Sequence, residues 1–410
     1  MSYFHQLWEP PVVVTRISIA QEEIQEAQRI GSGSERERQF IHALGQVYQD
    51  AATVPYSTRA LNYERAMSSL AAANRDDVEA QVFYALALLA TASPADKTHA
   101  NQKKAVELLE PLDRIYPQHP GIPHYLIHAC DNAELATRGL AAARAYAGIA
   151  PSAPHALHMP SHIFTRLGLW DDSIRSNQAA REAAHQQGDM GEELHAMDYL
   201  VYAYLQGGRD NEAAKVIGQL KNMTMLGAGE FKIAYAATAM PIRYAVERGQ
   251  WAEAARTVPP EGAPPQVFAI AVWARGIGLA RSGHIAEARQ EIDKLLQFQQ
   301  QLRALGNVYW ATQTGILARE LMAWAAQADG KPDQAASFMR AAADEEDAIE
   351  KLPVTPGPII PAREQLGFLL LEQNRPKLAH QEFETALVNA PGRRGALRGA
   401  ARAAELSTEK

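Results

Sequence analysis

Two pairs of histidines, His124/His128 and His158/His162, share a four-residue spacing, and the second pair repeats the first 34 residues later. Four residues is about one helical turn, so each pair sets two imidazoles on one helix face. Neutral imidazole is the commonest protein ligand for transition metals. His155 precedes the second pair, and His195 and Asp198 follow it three residues apart. With Asp131, three residues beyond His128, these side chains make a candidate ligand field of nitrogen and oxygen donors for a divalent transition metal. Zinc is the first choice, and ligand type alone does not separate it from iron, copper, nickel or manganese. Eight of the thirteen histidines fall between His119 and His195, which concentrates the donors in one stretch. The single cysteine, Cys130, leaves no disulfide framework and no Cys-rich zinc motif, so His and carboxylate are the available ligands.

Those imidazoles meet only if the helices that carry them lie side by side at matching heights. A turn signature recurring down the chain supplies that arrangement. Gly168, Gly208, Gly249, Gly283, Gly330 and Asn374 each precede a small residue by five positions: Ser173, Ala213, Ala254, Ala288, Ala335 and Ala379. Gly or Asn tolerates the left-handed conformation that ends one helix, and the small residue lets the next helix approach closely. The last unit, with Leu366, Gly367, Asn374, Ala379, Phe383, Ala386 and Pro391, follows the tetratricopeptide pattern, and 34 residues is that repeat's period. The reading is an all-α, tetratricopeptide-like solenoid of helical hairpins over 61–410, a right-handed superhelix with a concave groove. Residues 1–60 read as N-terminal capping helices or the remnant of a first repeat, with a break at Gly31–Ser34 and a helix over Glu35–Ala52. Insertions are expected near Thr91–Ala100 and Gln186–Glu192.

Counting a repeat from Pro154 places His155, His158 and His162 at its second, fifth and ninth positions, which face the groove in this repeat. The same count from Pro120 places His124 and His128 at five and nine, and from Leu194 it places His195, Asp198 and Tyr202 at two, five and nine. Packed helices lie about 8–10 Å apart, a gap that two imidazoles close onto one ion at about 2.0–2.1 Å per bond. Glu79, starting an upstream inner helix, is the candidate general base for a metal-activated water. Tyr199 is a candidate donor to a reacting oxygen, and Tyr125, Tyr202 and Arg363 are candidate contacts to a small-molecule or peptide substrate.

Metal-dependent hydrolysis is therefore the first functional reading. A redox-active iron or copper centre is the second, and a non-catalytic interaction scaffold or metal carrier the third. A metal-free polar network of histidines is the plain alternative. The run Asp344–Asp347 reads as a solvated helix face, and Trp273, Trp310 and Trp324 as core. A net charge of -7 with dispersed Lys and Arg gives no nucleic-acid footprint. No apolar run approaches the roughly 18 residues of a membrane span. Nucleotide loops and serine-hydrolase elbows are absent from the sequence.

The blocks His124–Ala129, Pro151–Phe164, Leu194–Gln206 and Val354–Pro358 resemble those of a family of bacterial tetratricopeptide-repeat proteins. The resemblance implies the fold and leaves the reaction open. It also implies a further N-terminal repeat, often behind an export signal, leading into a segment like Ser2–Pro10. The expected location is cytoplasmic as the sequence stands and periplasmic if an export signal preceded it, with His5 as an additional groove histidine.

Overall fold

A computed structural model describes residues 14–408 apart from 32, 225, 227–230 and 259–260. His5 and the segment Ser2–Pro10 lie outside the described residues. The chain folds as two compact units, Met1–Cys130 and Asp131–Lys410. Among the described residues there is no strand, and no helix is long and apolar enough to cross a membrane.

The first unit is a succession of helices from Val14–Ile30 to Gly121–Cys130. Its second helix, Glu35–Tyr48, opens on a capping box in which Ser34 and Glu37 satisfy each other's backbone N–H groups. That helix ends at Tyr48 rather than Ala52, because Asp50 turns into the left-handed region. The expected insertion near Thr91 is present as the connection between Val78–Thr91 and Ala100–Ile115.

In the second unit every turn of the recurring signature has the predicted conformation. Gly168, Gly208, Gly249, Gly283, Gly330 and Asn374 all have positive φ, between 57° and 85°. The small residues five positions on, Ser173 to Ala379, are each at most 1% exposed. Helix-turn-helix hairpins of the tetratricopeptide kind result. Their first helices, Met190–Gln206, Phe231–Glu247, Pro265–Arg281, Val308–Ala328, Ala362–Glu372 and Arg394–Thr408, pack each on the next. The row then returns on itself, since Arg394 donates to the Leu205 carbonyl (3.2 Å) and Trp170 Nε1 to the Gly392 carbonyl (3.1 Å). No long loop occurs at Gln186–Glu192: Gly188 and Asp189 alone separate Trp170–Gln187 from Met190–Gln206. The longer excursion follows Pro332–Asp347, where residues 348–361 leave helical conformation and cross the inner face of the row.

Close packing depends on missing side chains at particular points. Phe383 is fully buried, and a Cβ at Gly367 would lie 2.5 Å from its ring. Gly367→Ala is therefore expected to cost about 1–3 kcal/mol through overpacking and to lower the thermal midpoint by several degrees. Gly218→Ala, in a helix with nothing within 4 Å of the new methyl, should leave it unchanged or raise it.

Candidate metal centre

The inner helix of the histidine-rich hairpin is written in two pieces, Pro154–His158 and Pro160–Arg166. Proline at the first position of the second piece gives up only an N–H that the break leaves free. Met159 between them keeps helical angles, φ -49° and ψ -40°. The four-residue spacing therefore survives, and His158 and His162 stand one above the other with ring centroids 4.9 Å apart. The next first helix, Met190–Gln206, brings His195 to 4.2 Å from His158, centroid to centroid. One ring nitrogen from each of the three histidines lies within 4.8 Å of the others, and all three side chains are buried. Tyr199, one turn past His195, packs its ring against all three at 4.7–5.3 Å.

The hydrogen bonds on the far sides of the rings fix the tautomers of two of them. Asn177 donates through Nδ2 to the Ser173 carbonyl at 2.8 Å, which leaves its Oδ1 facing His158 Nδ1 at 2.7 Å. An amide oxygen only accepts, so the proton is on His158 Nδ1. His162 Nδ1 lies 3.0 Å from Asp131 Oδ2. Burial pushes the Asp131 carboxyl up, but Lys351, Arg166 and His162 outweigh it and hold the group well below the usual range, ionised. It too can only accept, which places the proton on His162 Nδ1.

Each ring then presents a lone pair at Nε2, and the two Nε2 atoms face each other at 3.1 Å. Two lone pairs at that distance repel unless a cation stands between them. A shared proton is one solution, but it charges one of the rings. Burial, with His195 and His162 as neighbours, holds His158 well below the ordinary 6.5. His195 is depressed in the same way by burial and Lys232, and His162 by burial against the opposing pull of Asp131. The arrangement thus resists a proton near neutral pH and suits a metal ion. Imidazole Nε2 toward the ion with Nδ1–H held by a carboxylate or carbonyl is the usual support of a metal-binding histidine.

The remaining sequence candidates take other places. Asp198 is one turn beyond His195 but stands outside the three-histidine group; its nearest cation is Arg243, with Nε 3.8 Å from Oδ1. Burial pushes its carboxyl up to about 6 against the pull of Arg243, and neither carboxylate oxygen has a hydrogen-bond donor among the described residues. Asp131 occupies the outer position behind His162, anchored by Arg166 Nε at 2.8 Å and Lys351 Nζ at 2.8 Å. His155 is half exposed and lies 3.7 Å from Glu192, which also pairs with Lys232 at 2.7 Å.

Tyr199 directs its hydroxyl to the carbonyls of Pro353 and Thr355, 3.1 Å each. The Tyr202 hydroxyl accepts from Arg393 at 3.3 Å, and Arg243 lies over its ring. Arg363 is not open to a substrate anion: it is bound by Asp344, Asp347 and Glu382. Within the run Asp344–Asp347, Asp344 stays exposed, while Asp347 pairs with Arg363 and Glu346 accepts from the Ala362 N–H. In the first unit His124 and His128 are adjacent, with centroids 4.9 Å apart, Tyr125 stacks on His124, and Glu79 pairs with His119 at 3.1 Å.

Asn177, Arg166, Lys351 and Arg243 escape sequence reasoning. Lys351 reaches Asp131 across 220 residues of chain, and no local pattern announces such a contact. The block Val354–Pro358 is the one signal that pointed to this region.

No family model and no curated protein matches the chain. Among solved structures it is similar to the tetratricopeptide-repeat domain of P58(IPK), at 11% identity and a TM-score of 0.26, covering 92% of this chain and 99% of that one. It is also similar to a structure of the APC/C hetero-tetramer Cut9-Hcn1, at 10% identity and a TM-score of 0.21, covering 95% and 96%. The hairpin geometry described above, not these scores, carries the fold assignment.

The tautomers are directly measurable. Long-range 15N–1H imidazole spectra of metal-free protein at neutral pH should show His158 and His162 as Nδ1–H tautomers, neutral still as pH falls through 6.5. A signal from an imidazolium at either position would mean that a proton bridges the two rings.

Proposed function

We propose that the second unit is a metal-binding module in which His158, His162 and His195 hold one divalent transition ion, zinc by first choice. Asp131 and Asn177 orient two of the rings. The observation that carries this reading is the pair of Nε2 lone pairs 3.1 Å apart, each fixed from behind by an acceptor. Two nitrogens at that separation both reach an ion at about 2.0–2.1 Å.

Three protein nitrogens leave a coordination position open, and an ion so held supplies the Lewis acidity used by hydrolytic centres. The non-catalytic form of the reading, a metal-holding repeat protein, is supported by the commitment of Tyr199 and Arg363 to the protein's own chain. Glu192, one turn before His195, is fixed through Oε1 by Lys232, and its Oε2 lies 3.7 Å from His155 Nδ1. Burial raises its carboxyl, but a hydrogen bond from His155 and the charge of Lys232 outweigh it and hold the group well below the usual carboxylate range, so it stays ionised and is a weak proton acceptor.

Elemental analysis and native mass spectrometry of protein purified without added metal should find one ion per chain. His158→Ala should lose it, together with the rise in thermal midpoint that zinc gives the parent. Asp131→Asn should bind about 10–100-fold more weakly. A parent protein with no more metal than His158→Ala, and no zinc-dependent stabilisation, would end this reading.

A further inference from the structure

The helix Val308–Ala328 buries a glutamate, Glu320, that is 1% exposed and whose Oε2 has no hydrogen bond among the described residues. Four helices pack on this one, and three of them set a polar group beside that carboxyl: Trp273 from Pro265–Arg281, Glu346 from Pro332–Asp347 and Gln365 from Ala362–Glu372. Ile285–Ala304 adds no titratable group to its surroundings among the described residues. The neighbours are thus two donors and a second carboxyl, with no cation.

Glu346 stands in the last turn of its helix and is half-buried. Its Oε2 accepts from the Ala362 N–H at 2.8 Å. Ala362 is the first residue of the next helix, so this bond satisfies one of the N–H groups that a helix start leaves open. It also joins the two ends of the non-helical excursion 348–361 and closes its base. The excursion carries Lys351, which reaches Asp131, and the carbonyls of Pro353 and Thr355 that Tyr199 holds, so its base governs how firmly that wall stands beside the histidines.

Two neighbouring carboxyls in an interior do not both ionise without a cation to share. Arg363 and Arg393 act on Glu346 from a distance, but Arg363 is engaged by Asp344, Asp347 and Glu382, and Arg393 by Glu247 and Glu364. A proton is the remaining counterion. The helix start at Ala362 favours negative charge on Glu346, which leaves the proton on Glu320. Burial, and then Glu346, hold the Glu320 carboxyl well above the usual range. Burial, opposed by the Ala362 N–H and aided by Asp347, pushes Glu346 up to about 7.

We propose that Glu320 and Glu346 form a proton-operated latch: holding one proton between them they keep the base of the excursion 348–361 closed, and losing it they let the excursion open. The latch does not depend on an ion at the histidines. Both carboxyls lie above the ordinary 4.5 in the folded chain, so their contribution to stability is whole below that value and is lost as pH rises through about 7.

Hydrogen exchange of the amides from Leu352 to Ala362 in the full chain, corrected for intrinsic rates, tests this. Protection in the parent should fall at least about tenfold between pH 6 and pH 8. In Glu320→Gln, which keeps the shape and needs no proton, the fall should shrink to about threefold or less. The infrared C=O stretch of a protonated carboxyl should be present in the parent at pH 7 and weaker by one group in the variant. Equal pH dependence in the two proteins, or an infrared band unchanged by the substitution, overturns the proposal. Should Glu320→Gln fail to fold, the parent alone decides: protection that stays constant from pH 6 to pH 8 would overturn it.

Discussion

The arrangement rests on two hydrogen bonds made at the backs of two rings. Asn177 and Asp131 each take the Nδ1 proton of a histidine, and by doing so they turn both Nε2 lone pairs toward one point. Had either partner been a donor, the proton could sit at Nε2 and the two rings would satisfy each other. A metal-free histidine network would then be the simpler account. The acceptor at each back position is what supports the proposal of a ligand set over a polar core.

Asp131 also joins the centre to the segment that fills the groove. Its carboxylate is shared by His162, Arg166 and Lys351, and Arg166 in turn meets Glu350 at 3.3 Å. Buried charges are costly unless each is paired, and here two cations and two carboxylates lie together and balance. Removing one member leaves an uncompensated charge in the interior, so the segment's first residues are tied to the histidine cluster by electrostatics as well as by Tyr199. Two further buried guanidiniums follow the same rule, with Arg243 facing Asp198 and Arg393 facing Glu247 and Glu364.

Local features were the legible ones. Positive-φ glycines and the small residue five positions on are demanded by the hairpin itself, so Gly168 to Ala379 could be read from spacing alone. His158, His162 and His195 were found because helical periodicity and a repeat register place them on neighbouring helices. Asp198, three residues along the helix from His195, faces Arg243, 45 residues later, a buried cation that the sequence does not announce. The roles of Asn177, Lys351 and the groove segment depend on contacts between distant parts of the chain. Nothing local says that the proline-rich stretch 353–361 will lie inside the row rather than outside it.

The central claim is that a cation other than a proton sits between the imidazoles. X-ray absorption at the metal edge, on protein purified without added metal, tests it most directly. The account predicts a shell of three imidazole nitrogens at about 2.0–2.1 Å, lost in His158→Ala. A spectrum with sulfur or only oxygen neighbours, or one unchanged by that substitution, would contradict it.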